Sequence, residues 1–152
     1  MTSGTEHDEV IDSGDHVIQQ LNLRDVQHPG ADLAMEMDIH DRVTNPRGAL
    51  QGGLLATLVD VVAGRAVLDD GPRESVATAD MTIHYLRGVT VGPALATAKV
   101  VRRGRTLAVV CVEVTDVGSG SLCALGTVAF SISRSRPPDG NGTVGSLAAA
   151  RR

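Results

Sequence analysis

The chain has 152 residues, 42% of them hydrophobic, with a formal net charge of −4 and a pI near 5.6. That length suits one domain with a core of its own, and the lack of any apolar run of about 20 residues excludes a helical membrane span. An acidic balance and only two aromatic residues, Tyr85 and Phe130, exclude a general nucleic-acid binder, which needs a basic face and stacking platforms.

Residues 1–14 are acidic, contain Ser and Gly and show no apolar periodicity, which predicts a flexible segment and not a secretory leader. Residues 15–23 predict a short helix with Val17, Ile18 and Leu21 on one face. Residues 31–40 alternate. Leu33, Met35, Met37 and Ile39 fall on one side, and Asp32, Glu36, Asp38 and His40 on the other, as in a half-buried strand. A loop rich in turn residues leads to a long helix at about 52–68, stopped by Asp69-Asp70-Gly71-Pro72. Four strands follow at about 75–87, 94–103, 105–115 and 121–133, separated by Gly-containing turns, and the last three predict an antiparallel meander. On the first of these four, His84 is expected on the same side as Thr78, Asp80 and Thr82. The tail from Ser135, with Pro137-Pro138, Gly140, Gly142 and a terminal Arg pair, predicts disorder. The organisation is therefore one domain at 15–134 between a flexible segment, 1–14, and a disordered tail, 135–152.

One helix cannot cover both faces of such a sheet. The simplest solution is an α+β fold in which a curled antiparallel sheet wraps around the one long central helix. Leu54, Leu55, Leu58, Val59, Val61, Val62, Val67 and Leu68 make that helix apolar on nearly every side. The outer face and edges of the sheet then need a partner. Cys111 and Cys123 lie in apolar strand-like stretches and read as small core residues of a reducing compartment, so a cytoplasmic location is the expectation. The five histidines are scattered, so no metal site is expected.

The chemistry concentrates in NPRGALQGGLLATLVD, residues 45–60. Gly53, Thr57, Asp60 and Gly64 are spaced at i, i+4, i+7 and i+11, forming the only small or polar line on the helix. Small residues can simply admit another backbone, with Asp60 paired to an arginine such as Arg65. Alternatively, the line walls a substrate crevice. A helix opening on Gly52-Gly53 offers bare N–H groups to an anion, and fixed donors of this kind stabilise the oxyanion that forms when a thioester or ester carbonyl is attacked. A carboxylate can activate water or attack the carbonyl itself, and Asp60 suits either role. Asp60 lies seven residues past Gly53, about 10 Å along the axis at 1.5 Å per residue, which an Asp side chain cannot span. Two antiparallel copies of the helix would set Asp60 of one beside Gly52 and Gly53 of the other, so the spacing predicts a homodimer with sites at its interface.

The order strand–helix–four strands, with Gly48-Ala49-Leu50-Gln51-Gly52-Gly53 and Asp60, resembles the hotdog-fold acyl-CoA thioesterases, in particular the phenylacetyl-CoA-pathway and acyl-CoA thioesterase 13-like branch. The resemblance continues through VATADMTIHYLRGV and VVRRGRTLAVVCVEVTD to about Ile132. It implies hydrolysis of an acyl-CoA to free acid and CoA, with no cofactor beyond the CoA of the substrate, and a dimer of dimers. By position, Asp60 matches the carboxylate that acts as base or nucleophile, and Gly52 or Gly53 the oxyanion donor from the opposite subunit. Asn45 matches a residue that positions water or substrate, and Thr78 a Ser/Thr that orients the attacking water. Relatives usually carry His where this chain has Gln51, which can donate a hydrogen bond but cannot titrate. Arg102, Arg103 and Arg105 read equally as a solvated hairpin tip or as contacts to CoA phosphates, with Arg87 a second candidate. Two other readings of the same fold are a non-hydrolytic acyl-CoA sensor or carrier, which Gln51 would permit, and a dehydratase or hydratase, against which the missing His counts.

Overall fold

The computed structural model describes residues 16–68 and 74–134. The expected flexible segment 1–14, the helix stop at 69–72 and the expected disordered tail from 135 lie outside the described residues. In chain order the elements are α1 (Val17–Gln20), β1 (Arg24–Val26), β2 (Leu33–Met37), α2 (Gly52–Val67), β3 (Glu74–Tyr85), β4 (Ala94–Arg103), β5 (Leu107–Asp116) and β6 (Ser121–Arg134). All six strands form one antiparallel sheet in the order β1-β2-β4-β5-β6-β3. Strand β1 was not expected, because three residues are too few to show an alternation.

The sheet curls around α2, which contacts every strand from β2 to β6. Leu58, Val59 and Val62 are fully buried in that cradle, each contributing about 1.5–3 kcal/mol of burial. Small residues let the helix sit close. On β4, Ala94, Ala96 and Ala98 pair with Met37, Met35 and Leu33 of β2, and a Cβ at Gly126 of β6 would stand 3.0 Å from Val59 Cγ1. A core nearly without aromatics thus fills its volume with Val, Ala and Met, and Phe130 is the one large ring within it.

Two register slips and one buried carboxylate decide where side chains point. In β4 the register slips between Val100 and Arg102, which turns Arg103 toward the end of α2. There its Nε donates to the Val67 carbonyl (3.0 Å) and its guanidinium pairs with Glu74, closing a helix C-terminus with a cation. In β3 the register slips between Thr78 and Asp80. Thr78 opposes the buried Phe130, whereas Asp80, Thr82 and His84 oppose Ala129, Thr127 and Leu125 on the outer face. His84 therefore shares a side with Asp80 and Thr82 but not with Thr78. A bulge inverts the alternation on which that expectation rested. Finally, Asp116 at the end of β5 is fully buried and accepts the N–H groups of Thr90, Val91 and Gly92 at 2.8–3.1 Å. Burial raises its pKa, but the donors at Val91, Thr90, Gly92 and Ser119 outweigh that and hold it at about 2.

Both cysteines are free. Cys123 is a core residue, but Cys111 is exposed on the outer face of β5, since the inward positions there are Ala108, Val110, Val112 and Val114. No helix among the described residues is long and apolar enough to cross a membrane.

Candidate active site

Helix α2 starts without a cap. Gln51 sits at the N-cap with extended backbone and no side-chain bond to the helix, and it is exposed. Its carbonyl accepts the N–H groups of both Leu54 and Leu55 at 3.0 Å. The N–H groups of Gly52 and Gly53 have no partner among the described residues. Two donors with the positive end of the helix dipole behind them form an anion-receptive terminus. Tyr85 frames it from β3, donating its hydroxyl to the Gly52 carbonyl at 2.8 Å. It stands 55% exposed beside the helix start. The β3 bulge places it there, and local pattern carries no sign of that.

Two turns on, Asp60 is half-buried, and its Oδ1 accepts the Thr78 hydroxyl at 2.7 Å. Its Oδ2 has no partner among the described residues. The arginine weighed as its partner, Arg65, is occupied elsewhere: it forks onto Asp25 of β1, with Nη2 to Oδ2 at 2.7 Å. The Arg65 hydrogen bond lowers the pKa of the Asp25 carboxyl. Asp60 therefore has a hydroxyl for company and no cation, the arrangement of a carboxylate held in one orientation with a lone pair free for a proton or a carbonyl carbon.

The polar stripe faces β3 and the neighbouring part of β6. Gly52 lies under Tyr85, Asp60 meets Thr78, and Gly64 lies under Phe130. Strand β3 is an edge strand, paired only to β6, so this crevice is open along the side of the molecule. A depression of about 630 Å³ lies elsewhere, against the outer faces of β4 and β5. The crevice at Asp60, walled on one side only, encloses little volume in a single chain.

The remaining sequence candidates are dispersed. The Asn45 Oδ1 accepts the N–H groups of Arg47 (2.9 Å) and Ala49 (3.3 Å), so that oxygen shapes the loop before α2. Arg87, next to the helix start, reaches Ser121 Oγ at 3.4 Å. Arg102 and Arg105 are exposed at the opposite end of the sheet, near the C-terminus of α2, while Arg103 is taken by Glu74 and the Val67 carbonyl. Within one chain Asp60 and Thr78 come together. The helix N-terminus with Gln51, Gly52 and Gly53 stands apart from them.

The sequence profile of the Thioesterase superfamily matches residues 47–123, from the loop before α2 to the start of β6. Acyl-coenzyme A thioesterase 13 of Mus musculus is 33% identical over 113 residues, covering 74% of this chain and 79% of that one. Among solved structures, the zebra fish thioesterase superfamily member 2 is 29% identical with a TM-score of 0.67, covering 78% of this chain and 88% of that one. A Bacillus halodurans protein crystallised with CoA is 32% identical with a TM-score of 0.59, covering 66% of each.

Proposed function

The chain belongs to the thioesterase superfamily and has its hotdog fold; from that premise we propose that it hydrolyses acyl-CoA thioesters at two sites, each shared between two copies of the chain. The observation that carries this reading is the 2.7 Å bond between Thr78 and Asp60 on the small and polar stripe of helix α2. It is supported by the mouse relative named for acyl-CoA hydrolysis and by the CoA-bound relative.

The second copy enters through β3. This 12-residue edge strand has one unpaired row of backbone groups, and Met81, Tyr85 and the adjacent Leu86 are exposed beside it. Long apolar edges are seldom left open. Antiparallel pairing of β3 with its copy would continue the sheet and lay the two α2 helices side by side, head to tail. Asp60 and Thr78 of one chain then face Gln51, Gly52 and Gly53 of the other. The thioester carbonyl oxygen lies against the Gly53 N–H, where charge develops as the carbonyl is attacked. The Gln51 amide is available as a further donor to that oxygen. Asp60, held by Thr78, takes a proton from the attacking water or attacks the carbon directly to give an anhydride that water then opens. Arg102 and Arg105, at the other end of α2, and Arg87, at its start, are exposed cations available to CoA phosphates.

A panel of acyl-CoA substrates, assayed for released CoA thiol with wild type and Asp60→Asn, tests the reading. Loss of the base should lower turnover by about 10²–10⁴-fold while the circular dichroism spectrum stays unchanged. Equal hydrolysis by the two proteins would remove Asp60 from the mechanism.

A further inference from the structure

On the outer face of the sheet, away from α2, Lys99 of β4 pairs directly with Cys111 of β5. Directly opposed residues share a face with Cβ atoms about 4.5–5.5 Å apart, and both side chains are exposed. They line the same depression of about 630 Å³, which Gly30, Pro29 and Val101 help to wall. The Lys99 ammonium already leans into it, donating from Nζ to the Gly30 carbonyl at 3.3 Å. Lys99 is also the only lysine in the chain, every other member of the 14 Lys and Arg being arginine. The one nucleophilic amine of a side chain thus stands across one strand pair from the one exposed thiol.

We propose that this pair is a self-acylation site, at which Cys111 captures an acyl group from an acyl-CoA and passes it to Lys99. The Cys111 thiolate attacks the thioester carbonyl. A new carbon–sulfur bond forms, the bond to CoA sulfur breaks, and CoA leaves as a thiolate that takes up a proton. The Lys99 ammonium gives one proton to solvent, and the neutral amine then attacks the acyl-Cys111 carbonyl. A carbon–nitrogen bond forms, the bond to Cys111 sulfur breaks, and the proton lost from nitrogen returns that sulfur to the thiol. The exchange of one thioester for another is easily reversed, whereas the amide is a sink, so acyl groups accumulate on nitrogen. An amine meeting acyl-CoA from solution is slow, because it is mostly protonated. An acyl group already tethered one side chain away presents itself at a high effective concentration. The product removes the positive charge of Lys99 and makes the chain one unit more negative than its formal −4. The apolar wall at Pro29 and Val101 offers the acyl chain a surface to lie on.

The inference rests on the acyl-CoA reading only for the source of the acyl group, and the two are separable in one incubation. Wild type, Cys111→Ser, Cys111→Ala and Lys99→Arg are incubated with acetyl-CoA, with intact mass and peptide mapping read alongside released CoA. The expected result is one stable acetyl group at Lys99 in wild type, formed at least ~10-fold more slowly in both Cys111 variants, and a hydroxylamine-labile adduct at Cys111 in Lys99→Arg. Acetylation of Lys99 at the same rate with and without Cys111, or no adduct at either residue, would overturn the proposal. Turnover without adduct would leave the hydrolase reading standing alone, and adduct without turnover would do the reverse.

Discussion

Two inactive variants should regain activity when combined. Asp60→Asn takes the carboxylate from its half-site. Gly53→Val stands a branched side chain over the helix N-terminus, where the Gly53 N–H would receive the oxyanion. Gly53 suits this purpose because a Cβ built there meets nothing within 4 Å and its φ is not in the left-handed region. The variant should therefore fold and lose only access. The two lesions lie about 10 Å apart along one helix, so under the shared-site arrangement each chain contributes its Asp60 to one site and its Gly53 to the other. When the two chains are co-expressed in equal amounts, about half of the dimers contain one of each, and every mixed dimer has one site with both lesions and one with neither. The mixture should thus show about a quarter of wild-type acyl-CoA hydrolysis, and mixed dimers isolated by differential tags about a half. Thiol release measures both. If each site were built within one chain, every site in a mixed dimer would carry a lesion, and activity at the level of the single variants would refute the shared site.

Thr78→Val keeps the volume of the side chain and deletes its 2.7 Å bond to Asp60. A hydrogen bond to a charged group is worth about 1.5–3 kcal/mol, so kcat/KM should fall about 10–150-fold, and Thr78→Ser should recover most of it. Asp116→Ala should lower the urea midpoint by the equivalent of about 3 kcal/mol or more, because three part-buried N–H groups of residues 90–92 lose their acceptor. The same residue predicts part of the acid stability. Its carboxyl titrates at about 2 in the fold against 3.8 for the free side chain, so it contributes about 2 kcal/mol above pH 3.8 that is lost as pH falls toward 2; acid unfolding of Asp116→Asn should lack that component. Gly92→Ala should destabilise by about 2 kcal/mol or more, since Gly92 has a φ of 79° and a Cβ there would lie 2.4 Å from Ile39 Cγ1; a fall in melting temperature checks it.

Much of the fold was legible because its elements are long and regular. Helix α2 ends within one residue of its expected bound and β4 matches its range, both marked by glycine or proline punctuation. Less legible were features that depend on a partner strand. Nothing in the sequence between Thr78 and Asp80 marks a bulge, which exists only because β6 offers one residue where β3 supplies two. The same holds for Arg103. Its place among three hairpin arginines suggested solvent or phosphate, but a second bulge brings it to the end of α2. Cys111 shows the reverse error. Apolar neighbours made it look like core, although simple alternation from the buried Val110 and Val112 places it outside.

The candidate site divides along the same line. Helical periodicity is rigid enough to put Gly53, Thr57, Asp60 and Gly64 in one row from spacing alone, but it is silent about what lies opposite. In the sequence the glycines of α2 are equivalent. In the fold they are not: a Cβ at Gly64 would touch the Phe130 ring at 3.4 Å and one at Gly52 the Tyr85 ring at 3.6 Å, whereas one at Gly53 would meet nothing within 4 Å. A side chain would thus gain ordinary contact at two of the three positions and stand in open space at the third. An exposed glycine near a helix start, with its N–H unpartnered among the described residues, forgoes roughly 1 kcal/mol of helix propensity relative to alanine. That sacrifice gains nothing in the isolated chain. It does gain something if another surface, a substrate carbonyl or the partner helix, must approach the backbone at Gly53 more closely than a Cβ allows.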